Sequence, residues 1–307
     1  MTEKFIELKQ DKDFGDIITV YFNFLKHNFK SFINIFINYN GYLILALLGI
    51  SYMLVTGFMG LASTIGLNEA GGAETDYSYL VIGLILFLIV MILVAALNYS
   101  LATSYMIHYE NEKTSNPNKT AIWQLVSKNL GNIVVFIVLI FLIYIGLAIL
   151  NIVLAFIPVF GFIVSYIIGF AASAWIGISF MVMLNEKIGV TESLSEGWNL
   201  VIKNFWLCVG VNFILGLLLL LLIMVITFIP GFLVGIYSFL AVDSGVELSN
   251  SITSKIIFTL ATAFFLILLA LYQSISHFIN GVLYYSLHER MYNDFTREKI
   301  EQIGRDD

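Results

Sequence analysis

The sequence predicts an all-α membrane protein with six transmembrane helices, arranged as three repeated hairpins, each preceded by a cytoplasmic interfacial amphipathic helix. Three observations predict it. Long runs contain no Asp, Glu, Lys or Arg, the basic residues gather on one side of those runs, and a polar-apolar stretch of one pattern recurs three times. A composition of 59% apolar and 12% charged residues leaves too little polar surface to coat a water-soluble core.

The charge-free runs are 31–68, 77–109, 129–185, 204–242 and 256–288. A crossing needs about 20 predominantly apolar residues. Four runs hold one crossing each. The third is long enough for two and carries Pro158 and Gly161 near its middle, where helix breakers set a turn. The expected spans are 42–63, 78–99, 133–156, 161–184, 207–228 and 256–280. The apolar stretch 231–242, after Pro230, is too short to cross again and reads as a re-entrant or interfacial segment or a buried loop.

Lysine and arginine in short loops resist translocation and set orientation. Lys4, Lys9, Lys12, Lys26 and Lys30 precede the first span; Lys113, Lys119 and Lys128 lie in the second loop, Lys187 and Lys203 in the fourth, and Arg290, Arg297, Lys299 and Arg305 in the tail. The opposite loops carry Glu69, Glu74, Asp76, Asp243 and Glu247 against Lys255. Both termini are therefore expected in the cytoplasm of a bacterial cell with the chain in the inner membrane. A cleavable secretory signal is not expected, because a charged segment of about thirty residues precedes the first apolar run. Cys208 is the only cysteine, which excludes an intrachain disulfide. The sequon at Asn118 falls on the cytoplasmic side and is expected to stay unmodified.

Placing Asn28, Asn129 and Asn204 in register aligns Thr19, Thr120 and Ser195 nine positions earlier, then Phe22, Trp123 and Trp198. Each unit leaves the membrane through a short charged cap: Asn111-Glu112-Lys113, Asn185-Glu186-Lys187 and His288-Glu289-Arg290. Phe156-Ile157-Pro158 and Phe228-Ile229-Pro230 share the outer hairpin position, and the first unit lacks that proline. The common order predicts an internal repeat within a single membrane domain, 1–307, with units about 13–113, 114–187 and 188–290 and a charged tail at 291–307. The stretches 13–30, 119–132 and 191–205 have apolar residues at helical spacing and a Thr or Ser suited to N-capping. They either lie in the interface or extend the following span into the cytosol.

Ser/Thr-led helices with an aromatic and a following Asn, an outer Pro turn with Gly, and exits into Glu-Lys or Glu-Arg resemble the bacterial membrane domain attached to some glycerophosphodiester phosphodiesterases. The motif residues are Trp123, Asn129, Pro158 and Gly161, then Trp198, Asn204, Pro230 and Gly231. The resemblance implies no catalytic residues here, since in that family the hydrolase site lies in a separate soluble barrel domain.

An ionisable residue within a span is costly and is by default a functional hint. The span cores hold no acid or permanent base, which disfavours proton or sodium coupling and two-carboxylate hydrolysis within the membrane. Glu112, Glu186 and Glu289 each sit beside Lys or Arg and read as local salt bridges or boundary markers. The most concentrated polar feature is on the sixth span, where Gln273, His277, Asn280 and Tyr284 share one face. That face either lines a polar cavity or makes interhelical hydrogen bonds. Gly169, Ser173 and Gly177 recur every four residues and would admit a close neighbour, and Asn98, Asn151 and Asn212 can bond across helices. No catalytic, cofactor or metal constellation is recognisable. The expected role is non-enzymatic organisation or assembly of envelope components, with a permease or lipid-handling protein as the alternative. The expected partners are the lipid bilayer and other envelope proteins, and no nucleic acid, because the basic residues are dispersed.

Overall fold

The computed structural model describes residues 5–67, 73–114, 117–249, 251–294, 296, 297 and 300. Glu69 and most of the charged tail lie outside them. The described elements are helices: α1 (Phe14–Leu67), α2 (Ala73–Glu112), α3 (Lys119–Lys128), α4 (Leu130–Leu154), α5 (Phe160–Glu186), α6 (Val190–Lys203), α7 (Phe205–Asp243) and α8 (Ile252–Tyr292). Six of them, α1, α2, α4, α5, α7 and α8, are long and apolar enough to cross a bilayer, as in a multi-pass membrane protein. Their sides are lined with exposed large apolar residues such as Tyr42, Phe141, Phe162, Phe239 and Ile252. Water would penalise so extensive an apolar surface, whereas hydrocarbon solvates it.

The helices α4 and α5, at 25 and 27 residues, match one crossing. The other four are longer than expected. At 1.5 Å per residue the 54-residue α1 is roughly 81 Å long, against about 30 Å of hydrocarbon. Its first turns are the stretch expected as a separate amphipathic helix at 13–30. The helix runs from them into the span without a break. In the other two places the helix does break, at Asn129 and Asn204, whose backbones leave helical geometry and separate α3 from α4 and α6 from α7.

The stretch 231–242 is neither re-entrant nor a loop. Helix α7 continues through Pro230 to Asp243. Proline removes one ladder bond, but irregular backbone facing hydrocarbon would leave many more groups unpaired, so the helix is retained. The N-cap expectation also needs correction. Asn118 caps α3, its side chain accepting from Thr120 N at 2.9 Å, and Gly189 begins α6 without a side-chain cap. Thr19 lies inside α1, where its hydroxyl donates to Gly15 O. The expected turn at Pro158 is present: Phe160 N donates to Pro158 O at 2.7 Å across Val159, whose φ of 63° is a strained setting for a β-branched residue.

The chain divides into two compact units, one formed by 1–35, 99–218 and 274–307, the other by 36–98 and 219–273. The first unit has an aromatic core. Phe32 meets Phe278 edge-on at 4.7 Å, Phe24 meets Tyr109 at 5.0 Å, and Phe136 meets Phe180 at 5.0 Å. Each such pair contributes about 0.5–1.5 kcal/mol beyond area burial. Helix α6 lies directly on α5: Trp175 Nε1 donates to Leu194 O at 2.8 Å, and Gly197 backs onto Ser179. In the second unit, α1 and α2 approach through Gly57 at Leu80 and Gly83 at Met53. Asn98 donates across to Ala270 O at 3.0 Å, as its position suggested, and Tyr237 bonds Ser254 at 2.9 Å.

Candidate functional site

Of the polar face expected on the sixth span, Gln273 belongs to the second unit, while His277, Asn280 and Tyr284 enter the core of the first. The His277 ring lies on the Tyr99 ring at 3.2 Å between centroids. Asn280 packs against Gly177, where an added Cβ would collide with its side chain. The Tyr284 hydroxyl accepts from Asn185 Nδ2 at 2.8 Å and donates to Glu186 Oε1 at 3.0 Å. Among the described residues, His277 Nε2 and Asn280 Oδ1 are buried without a hydrogen-bond partner. Packing therefore dominates at His277 and Asn280. Of the two glycines in the small-residue stripe, Gly177 is closely approached, while Gly169 has open space at its Cβ position. Asn212 bonds Cys208 O on its own helix, and Asn151 is exposed, so neither bridges helices as expected.

The aligned asparagines share one geometry. Asn28, Asn129 and Asn204 each donate Nδ2 to the carbonyl four residues back, at 2.9, 2.8 and 3.1 Å. Asn28 Oδ1 also accepts from the Tyr105 hydroxyl at 3.0 Å, and Asn204 Oδ1 from Arg290 Nη1 at 3.4 Å. Phe22, Trp123 and Trp198 are exposed.

The polar groups concentrate instead at the ends of α2, α5 and α8, where Tyr284 ties α8 to α5 and the N-terminal segment 5–13 ties α8 to α2. Ile6 N donates to the Tyr109 hydroxyl at 2.7 Å, and Phe5 stacks on the Tyr109 ring at 5.0 Å. Lys12 N donates to Ser286 Oγ at 3.1 Å. Arg290 reaches Asp11 Oδ1 at 2.7 Å through Nε and Lys12 O at 2.9 Å through Nη2. Leu8 is completely buried, which anchors the strap's apolar side. Lys12 is also buried, its Nζ donating to Leu8 O at 2.7 Å. Burial pushes its ammonium down to about 8, against the pull of Glu7, Glu110, Asp16 and Asp11.

Among the described residues, the exit acids meet other partners than their basic sequence neighbours. Glu112 lies 3.4 Å from His108 and Glu186 3.7 Å from His288, while Glu289 accepts from Thr296 N and Oγ1. Lys113 turns to the buried Glu110 and Arg290 to Asp11. A left-handed backbone at Lys113 and Lys187 reverses the chain there and redirects the side chains. Glu110, Lys12 and the strap do not stand out in the sequence. The signal available there is Phe5, Ile6 and Leu8, apolar residues within a charged segment.

Among the described residues, three pockets are found at this end. One of about 160 Å³ lies beside Lys9, Asn185, Tyr284 and His288. One of about 350 Å³ is acidic, with Glu186, Glu192, Glu196 and Asp294. The largest of these, about 700 Å³, is basic: Lys9, Lys128 and Lys187 line it with Asn111, Asn129 and Asn185, and no carboxylate is in its wall among the described residues. No His, Cys, Asp or Glu cluster among the described residues has the form of a metal site. No protein-family model, curated protein or solved structure matches this chain.

Proposed function

We propose that this chain is a bacterial inner-membrane protein that organises or assists other envelope components through its cytoplasmic end, without chemistry of its own. The observation that carries this reading is the contrast between two places. The sixth-span face at His277 and Asn280 is taken up by packing against Tyr99 and Gly177. The ends of α2, α5 and α8 instead gather pockets of opposite charge around a docked N-terminal strap. Contrasting charge suits selective recognition of protein or lipid partners. Affinity pull-down from detergent should recover a reproducible envelope partner, and proteoliposomes should show no solute flux above protein-free vesicles. No partner together with robust flux would overturn the reading in favour of a permease.

The same proposal includes the threefold repeat, a kinship with the membrane domain of the phosphodiesterases, and three amphipathic segments in the cytoplasmic interface. The shared asparagine bonds at Asn28, Asn129 and Asn204 support the repeat. Exposed Trp123, Trp198 and Trp206 support the interfacial placement, since indole rings favour headgroup depth. Both termini are assigned to the cytoplasm on the lysine and arginine distribution. With Cys208 replaced by Ser, single cysteines at Ser127 and Ser244 should react with an impermeant maleimide on opposite sides of the membrane, Ser244 from outside. Labelling of both from one side would refute this topology.

A further inference from the structure

We propose that the basic pocket at the ends of α2, α3 and α5 binds a phosphate ester, the group common to anionic phospholipid headgroups and soluble phosphomonoesters. Lys9 comes from the strap, Lys128 from the last turn of α3 and Lys187 from the turn after α5. Three separate segments thus bring ammonium groups to one concavity. None of the three is ion-paired among the described residues, although acids are plentiful nearby: the adjoining pocket holds four carboxylates. Of the nearby acids, Glu112 lies against His108, which also lines the pocket, and Glu186, between the wall residues Asn185 and Lys187, accepts from the Tyr284 hydroxyl. Like charges held together without a counter-charge raise the local potential and favour an anionic guest.

The amides of Asn111, Asn129 and Asn185 add neutral donors, of which Asn129 and Asn185 already spend one hydrogen each within the fold. Phosphate oxygens are strong acceptors that match a mixed ammonium and amide lining. At about 700 Å³ the pocket is within the usual 300–1,000 Å³ range of small-ligand sites. Ile107, Ala121, Leu125 and Leu184 give the wall an apolar part beside its lysines, amides and His108. That combination favours a lipid, whose glycerol and upper acyl carbons need apolar contact below the headgroup. Phosphate binding goes beyond the organising role and relies on it only for placing the pocket at the membrane surface.

The test uses the full chain in nanodiscs of phosphatidylcholine doped with phosphatidylglycerol, read by lipids co-purifying after detergent exchange, and a parallel titration with glycerol 3-phosphate in detergent. Each lysine near an anionic surface is worth about a fivefold change in affinity, so replacing Lys9, Lys128 and Lys187 together by Gln should weaken binding about 100-fold. Lys128→Gln alone, on an exposed turn, should cost about fivefold with no change in thermal midpoint. Lys203→Gln, outside the pocket, should cost nothing. Enrichment of phosphatidylglycerol that the triple variant abolishes establishes the lipid source. Saturable glycerol 3-phosphate binding with the same lysine dependence establishes the soluble one. Equal retention of both lipids with no glycerol 3-phosphate binding, or any binding unchanged in the triple variant, overturns the proposal. Failure here leaves the partner and flux measurements untouched, so the two readings are separable.

Discussion

Gly197→Ala is expected to destabilise the first unit by about 1–3 kcal/mol, the usual cost of forcing extra volume into a packed contact. A Cβ at this position would fall on Ser179 Oγ and within 2.9 Å of Ser179 Cα and N. A side-chain rotation could relieve the first collision. It cannot relieve the others, because those atoms are the backbone of α5. The two helices would have to separate, loosening the bond from Trp175 Nε1 to Leu194 O. Gly169→Ala provides the internal comparison, since its Cβ position is open and alanine favours helix over glycine by about 1 kcal/mol. Unfolding in mixed micelles of increasing dodecyl sulfate content would rank them. A Gly197→Ala variant as stable as the parent would show that α6 does not bear on α5 in this way.

Arg290→Ala should release the N-terminal strap. The guanidinium is about a third exposed, so solvent screens its pair with Asp11. The bond to Lys12 O and the reach to Asn204 Oδ1 are part-buried and less screened. A net loss of about 1–2 kcal/mol is expected, below the 1.5–3 kcal/mol of a fully buried charged hydrogen bond. Opening of segment 5–13 should rise roughly 5- to 30-fold by the same conversion. Amide exchange at Ile6 and Lys12, whose N–H groups bond Tyr109 and Ser286, would report it directly. Arg290→Lys should fall between, keeping charge while losing the forked donor geometry. Unchanged exchange in Arg290→Ala would show that Leu8 burial alone holds the strap.

The count of long apolar helices was legible because hydrocarbon imposes a length and forbids charge, and both constraints are local properties of the chain. Helix ends were less legible. At Asn129 and Asn204 the helix breaks, yet at Asn28 an identical side-chain bond sits inside an unbroken α1. The residue type therefore does not decide the break. The surroundings differ, for Asn28 is buried against Tyr105 while Asn129 and Asn204 are half-buried. Likewise, the face of Gln273, His277, Asn280 and Tyr284 was readable as one side of a helix, but its packed character at His277 and Asn280 depends on Tyr99 and Gly177, which are far away in sequence. The basic pocket was hidden for the same reason, since Lys9, Lys128 and Lys187 looked like three unrelated loop charges.

The bond between Lys12 and Ser286 joins positions 274 apart in sequence. At roughly 5–20 residues per second, a ribosome needs about a quarter of a minute to nearly a minute to add that intervening length. For that interval segment 5–13 has its contacts with Tyr109 of α2 but not those with Ser286 and Arg290 of α8. Quality-control proteases that sample nascent membrane proteins would therefore meet segment 5–13 held at one end only, and find it clamped at both once α8 has emerged.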